Sequence, residues 1–118
     1  MRELTDHKYN AANERIDVLV MDEPGHGGAC HEYAIHINKD GKNLLRFQNG
    51  PIKEKGVNGI THEVLLAILI DRLQGYQAGD YKCRENAIAL TKMEEALMWL
   101  HKRTKDREAR GVEGTYEI

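Results

Sequence analysis

The run CRENAIALTKMEEALMWLHKRTKDREAR, from Cys83 to Arg110, contains neither glycine nor proline and is made mostly of Ala, Leu, Met, Glu, Lys and Arg. These are the residues that lose least on entering a helix. Leu90, Met93, Leu97 and Leu100 recur at spacings of 3, 4 and 3, which puts them on one helical face. A helix over the whole run is about 40 Å long at about 1.5 Å per residue. Gly111 follows as its expected stop. A chain of 118 residues cannot enclose such a rod in its own core. Part of its surface is expected to meet another helix of the same chain, and part to meet another copy.

The partner within the chain lies just upstream. Thr61 is placed as an N-cap, with Ile60 and Leu65 spaced as a hydrophobic staple and Glu63 in the first turn, where the helix dipole favours a negative charge. The segment VLLAILIDRL, Val64 to Leu73, is apolar almost all round, which predicts deep burial. Gly75 weakens this helix and Ala78-Gly79-Asp80 ends it. So short a connection makes the two helices an antiparallel hairpin.

The first half reads differently. Between Arg15 and Met21, Ile16, Val18 and Val20 alternate with Asp17, Leu19 and Met21, the pattern of a strand. Asp22 to Ala29, DEPGHGGA, breaks regular structure. A second strand is expected over Glu32 to Asn38, a hairpin turn at Asp40-Gly41, and a return strand from Asn43 to Gln48 with Leu45 and Phe47 on the buried face. Met1 to Asn13 is polar, with room for one or two helical turns, and its pattern assigns it no element. Asn49 to Gly59 is a turn-rich connection. Strands grouped before helices predict an α+β fold: an N-terminal antiparallel β-sheet followed by a long antiparallel α-helical hairpin. The expected organisation is a single domain over 1–118, with sheet at about 15–48, hairpin at 61–110 and a tail at 111–118. The two glycines of GVEGTYEI make that tail extended or mobile unless a partner holds it.

A net charge of −2 offers no global attraction to long nucleic acid or to an anionic membrane. No apolar run approaches the roughly 20 residues a spanning helix needs. The start, MRELTDHKYNAANER, lacks a secretory apolar core, so Cys30 and Cys83 are expected as reduced thiols and the protein as cytoplasmic.

Two constellations carry candidate chemistry. Arg103, Arg107 and Arg110 share one face near the end of the long helix, and guanidinium groups suit bidentate contact with phosphate. Spacing alone equally fits a solvated basic helix end favoured by the dipole. At the hairpin turn, Tyr76 stands close to Arg84 and Asn86. An aromatic ring that stacks with an amide that bonds the base edge is a recurrent way to hold a nucleobase. The plain alternative is a tyrosine sealing the hairpin and an asparagine capping backbone. Asn86 and Arg103 are 17 residues apart, roughly 26 Å along one helix. A mononucleotide-sized ligand cannot touch both in one chain. If both serve one site, that site lies between two antiparallel copies, and two-fold symmetry gives two equal sites per dimer.

Other groupings carry less. His26, Cys30, His31 and His36 match no standard zinc spacing, so no metal is expected. DEPGHGGA lacks the Lys-Ser/Thr ending of a P-loop. Glu94 and Glu95 are adjacent, so their side chains diverge, and Cys83 has no histidine beside it. No cofactor is implied.

The segments FQNGPIKEKGVNGIT, DRLQGYQAG, CRENAIALTKMEEALMWLHKRT and REARGVEGT, about 60 residues between Phe47 and Thr115, resemble the Thoeris anti-defence sponges of phages. RGVEGT is the most distinctive of them, and YNAANERIDVLVMDEPGHGGACHEYAI looks like the family's N-terminal sheet. The resemblance implies a non-enzymatic protein that sequesters glycocyclic ADP-ribose, the signal of Thoeris defence, without cleaving it. It also implies assembly as a homodimer or hexamer and, in some members, binding of cyclic di- or trinucleotides at a separate site. Carried over, the adenine-stacking aromatic falls on Tyr76, the amide on Asn86 and the phosphate-binding arginines on Arg103 and Arg107. Lys82 and Arg84 are the candidates for the second nucleotide site. The tail and the Gly-rich loop are candidates for a lid. An enzyme degrading the same signal, or a protein-interaction module whose arginine stripe meets an acidic partner, remain the alternatives.

Overall fold

The computed structural model describes all residues, 1–118. The elements in chain order are β1 (Arg2–Leu4), α1 (Ala11–Glu14), β2 (Ile16–Val20), β3 (Glu32–Ile37), β4 (Asp40–Arg46), α2 (Ile52–Lys55), α3 (His62–Gln77) and α4 (Arg84–Ala109). The fold is α+β, an N-terminal antiparallel sheet followed by helices, as expected. The chain divides into two compact units, one of residues 1–51 and 55–60, the other of 52–54 and 61–118.

The first unit is a four-stranded antiparallel meander, β1-β2-β3-β4. Cross-strand pairs such as Val20 with Tyr33, and Tyr33 with Leu45, put Val18, Val20, Tyr33, Ile35 and Leu45 on one face. Tyr33 and Phe47 meet edge to face, with ring centroids 5.6 Å apart. Val20 and Ala34, on opposite faces, are the buried apolar residues. β1 is the strand that the polar start of the sequence concealed. Its alternation spans only three residues, too few for a period to register.

The hairpin between β3 and β4 corrects the sequence reading. Its turn is Asn38-Lys39, not Asp40-Gly41: both turn residues have positive φ, 54° and 62°, and Ile37 pairs with Asp40 across it. Positive φ at both central residues is what a two-residue type I′ turn demands. Gly41 serves the next step, a register shift between Ile35 and Ile37, where it adopts a φ of 69°. A glycine that reads as a turn is therefore a bulge, and β4 starts earlier than expected.

Two side-chain devices close the loops of this unit. The Asp22 carboxylate accepts the backbone N–H groups of His31 and Glu32 at 3.0–3.1 Å, tying the ends of the glycine-rich loop together. Partial burial opposes its charge, but those two N–H groups together with the neighbouring His31 ring outweigh it and hold the pKa of Asp22 below the ordinary value. Asn58 and Gln48 brace the connection after β4, Asn58 N–H donating to Gln48 Oε1 at 2.9 Å and Asn49 N–H to Asn58 Oδ1 at 2.8 Å.

The second unit is the hairpin. Thr61 caps α3, its hydroxyl accepting from the Val64 N–H at 3.3 Å. Cys83 caps α4, its sulfur accepting from the Asn86 N–H at 3.4 Å. α3 packs against α4. Along α4 the half-buried stripe runs Asn86, Leu90, Met93, Leu97, Leu100, Thr104 and on to buried Arg107, alternating steps of four and three. Leu66, Ile70, Leu73 and Gln77 repeat that rhythm on α3.

Deep burial of the apolar run on α3 is not what the single chain shows. No residue of α3 is buried, and Ile68 is 53% exposed. One helix can cover only one side of another, and α3 has only α4 beside it. An apolar face that includes Val64, Ile68 and Leu69 is left open, and Met98 and Trp99 are bare on α4.

Candidate functional site

α4 is one unbroken helix of 26 residues, about 39 Å long, whereas α3 has 16 residues and spans about 24 Å. In an antiparallel hairpin joined at Gln77 and Arg84, the last turns of α4 therefore run past the start of α3. What covers them is the segment that follows. α4 ends in a Schellman motif: Gly111, at φ 73°, donates its N–H to the Glu108 carbonyl at 3.0 Å, and Val112 donates to the Arg107 carbonyl at 3.0 Å. The reversal sends residues 112–118 back over the helix end. Lys53 of α2 fastens this segment, its N–H donating to the Gly114 carbonyl at 3.1 Å.

Arg107 sits beneath that fold-back and is only 9% exposed. Its guanidinium is fully engaged. Nε donates to Glu113 Oε2 at 3.1 Å. One terminal nitrogen donates to the oxygens of Glu117 and Ile118 at 2.9 and 3.3 Å. The other donates to the carbonyls of Val112 and Thr115 at 3.0 and 3.3 Å. A guanidinium has five N–H bonds, and five acceptors surround this one. The tail expected to be extended or mobile is instead wound around one side chain. Arg110 adds a further link to the Ile118 oxygen at 3.0 Å. Arg103, one turn back on the same face, is exposed.

At the other end of the hairpin, Tyr76 is 45% exposed on the last turn of α3. The Arg72 guanidinium lies over its ring at 5.8 Å from the centroid, a cation–π contact that occupies one ring face. Asn86 stands half-buried in the first turn of α4, and Lys82 and Arg84 are exposed beside it. Gln77 closes the connection by accepting the Cys83 N–H at 3.1 Å. Because α4 is continuous, Asn86 and Arg103 lie about 26 Å apart in one chain. The structure thus gathers Tyr76, Lys82, Arg84 and Asn86 at one end and Arg103 and Arg107 at the other.

Sequence reasoning passed over Arg72 and Glu113. Arg72 stands i−4 to Tyr76, a spacing that places it over the ring. Glu113 lies two residues beyond the helix-ending glycine, where a reversal returns the chain onto the last turn. Both signals were in the sequence.

A long helix with a shorter antiparallel partner, cationic at one tip and aromatic at the other, defines a class of hairpin domain. The chain matches the family described as Acb2/Tad1, hairpin domain, over residues 42–105, and it belongs to that family. It is 50% identical over 93 residues to Thoeris anti-defense 1 of Bacillus phage SBSphiJ7. That match covers 79% of this chain and 66% of the relative, just under two thirds of the relative's length. The structure contains no helix long and apolar enough to cross a membrane.

Proposed function

We propose that this protein is a non-enzymatic anti-defence sponge that binds glycocyclic ADP-ribose and holds it intact, so that a host effector is never switched on. The observation that carries the reading is the family match, since residues 42–105 include Tyr76, Asn86 and Arg103 together with nearly all of the hairpin that displays them. The relative's name supports a role against Thoeris defence. In this reading Tyr76 stacks on the adenine, Asn86 bonds its edge, and Arg103 and Arg107 take the phosphates. The 26 Å between the two groups supports, in this reading, a site in a seam between two antiparallel copies. The open apolar face of α3 favours such pairing, because contiguous exposed apolar surface marks interaction sites. The assembly is a homodimer or a hexamer built from it, acting in the cytoplasm of an infected host cell. Lys82 and Arg84 are assigned to a separate site for cyclic di- or trinucleotides.

Sequestration requires tight binding, and nanomolar affinity is about −12 kcal/mol. A stacked base at about 1–3 kcal/mol and several charge-assisted hydrogen bonds at about 1.5–3 kcal/mol each reach that scale before association costs. The decisive experiment incubates protein with glycocyclic ADP-ribose, digests the protein and recovers the small molecule. Recovery of unaltered mass, stoichiometric with protein, supports the sponge. A changed mass replaces it with an enzyme that degrades the signal. No capture, and no rise in melting temperature with any cyclic ADP-ribose isomer or cyclic oligonucleotide, leaves a protein-interaction module instead.

A further inference from the structure

Arg107 cannot bind a phosphate in the conformation described, because all of its donors are spent within its own chain. Four of the five acceptors are main-chain oxygens. The fifth, Glu113 Oε2, belongs to a side-chain carboxylate, 3.1 Å from Nε. A carboxylate presents to a guanidinium the same pair of anionic oxygens that a phosphate does. Glu113 is also held between two glycines with left-handed backbone, Gly111 at φ 73° and Gly114 at φ 78°.

We propose that Glu113 is an internal competitor: it occupies Arg107 until a ligand phosphate exchanges for it, and the exchange frees residues 112–118 from the helix end. The proposal rests on the reading of Arg107 as a phosphate-binding residue. Arg103, exposed on the same face, is the landing point, since an anion reaches it without displacing anything. The phosphate then passes from Arg103 to Arg107 as Glu113 leaves. Binding by this route is a substitution of one anion for another, so the tail lowers the apparent affinity.

The test uses the full chain, nitrogen-15 labelled, with inorganic pyrophosphate as the first probe. Titration should move the Arg107 Nε–H signal and speed hydrogen exchange at the amides of 112–118. Glu113→Gln, which keeps the shape and removes the charge, should lower the pyrophosphate concentration at half-effect about three- to tenfold, since charge-assisted bonds are roughly twice as strong as neutral ones. An Arg107 signal that does not move at any pyrophosphate concentration overturns the proposal. So does exchange at 112–118 that slows on binding, which makes the tail part of the pocket, or a Glu113→Gln variant that binds no more tightly than wild type. A parallel titration with glycocyclic ADP-ribose separates the two readings. Pyrophosphate release of the tail without any glycocyclic ADP-ribose binding leaves the exchange standing and removes the sponge.

Discussion

Arg107 and Glu113, six residues apart, close the end of α4 upon itself through a 3.1 Å ion pair in which the arginine is the more buried partner. This pair makes Arg107 a structural residue in the single chain as well as a candidate ligand contact. Truncating it takes the arginine donor from the carbonyls of Thr115 and Glu117 and leaves Glu113 without its cation, whereas the Val112 carbonyl keeps the Thr115 N–H and hydroxyl. Arg107→Ala should therefore destabilise the hairpin by about 1.5–3 kcal/mol, the range for losing a hydrogen bond to a charged group. Urea unfolding followed by circular dichroism measures this. Arg107→Lys should recover only part of it, because an ammonium cannot present the planar fork.

Arg103→Ala is the cleaner probe of phosphate binding. Its side chain is exposed, so stability should change by no more than about 0.5 kcal/mol. Calorimetry with glycocyclic ADP-ribose should show at least a tenfold loss of affinity. An unchanged affinity would remove Arg103 from the site.

At the aromatic end, Tyr76→Ala removes a ring worth about 1–3 kcal/mol of stacking, a loss of about five- to 150-fold in affinity. Tyr76→Phe keeps the ring and should bind within about threefold of wild type, unless its hydroxyl is itself a contact. Arg72→Ala tests whether the cation over the ring helps. If Arg72 merely covers the stacking face, its removal should strengthen binding.

The sequence disclosed the elements that rest on local chemistry and missed those that rest on chain reversal. The spacing of Leu90, Met93, Leu97 and Leu100, the Thr61 cap and the Gly111 stop are local, and all three stand in the structure. The turn at Asn38-Lys39 was missed because the neighbouring glycine was the stronger signal, although a bulge needs it. The tail was misread because glycine content speaks for flexibility only while nothing nearby offers partners, and Arg107 offers five donors. The exposed face of α3 was read as buried because periodicity reports which residues avoid water without saying what they avoid it with. Type and spacing single out Tyr76, Asn86, Arg103 and Arg107 as candidates; the wrapping of Arg107 by the tail has no such local signal.

The open face of α3 makes a separate prediction. Ile68→Glu puts a charge into the middle of the apolar surface of Val64, Ile68 and Leu69, where self-association would have to desolvate it. The variant should elute as a single chain by light scattering at concentrations where the wild type is oligomeric, with its helical signal retained. A wild type that is already a single chain at micromolar concentration would remove the seam.

In the sheet unit, Lys8 and Asp17 form a 2.6 Å pair, with Glu3 at 3.3 Å from the same ammonium. The hydrogen bond to Lys8 holds the pKa of Asp17 below its ordinary 3.8, and that to Asp17 raises Lys8 above its ordinary 10.5. A carboxyl with a depressed folded pKa stabilises fully above the unfolded value and loses its effect as pH falls through the folded one. Lys8 does the reverse, stabilising below pH 10.5 and losing its effect as pH rises through its raised value. Urea midpoints of wild type should thus fall below about pH 3.8, where Asp22 also protonates, and Asp17→Asn should flatten part of that acid limb. An identical acid limb in Asp17→Asn would show that the pair contributes nothing.

The strongest consequence of the 26 Å separation is that two broken proteins should repair one another. A Tyr76→Ala chain keeps its arginines and an Arg103→Ala chain keeps its aromatic. In a mixed dimer, one seam collects both defects and the other collects none. Each variant alone should bind at least tenfold more weakly than wild type. The two mixed after joint refolding, so that chains exchange, should regain wild-type affinity at one quarter of all seams. That fraction follows from statistics: half of the dimers are mixed, and each mixed dimer holds one intact seam out of two. Titration calorimetry reads the fraction directly as stoichiometry. Recovery of none places the aromatic and the cations of each site in the same chain, which the continuous α4 forbids for a small ligand, and so would deny the residues a shared site.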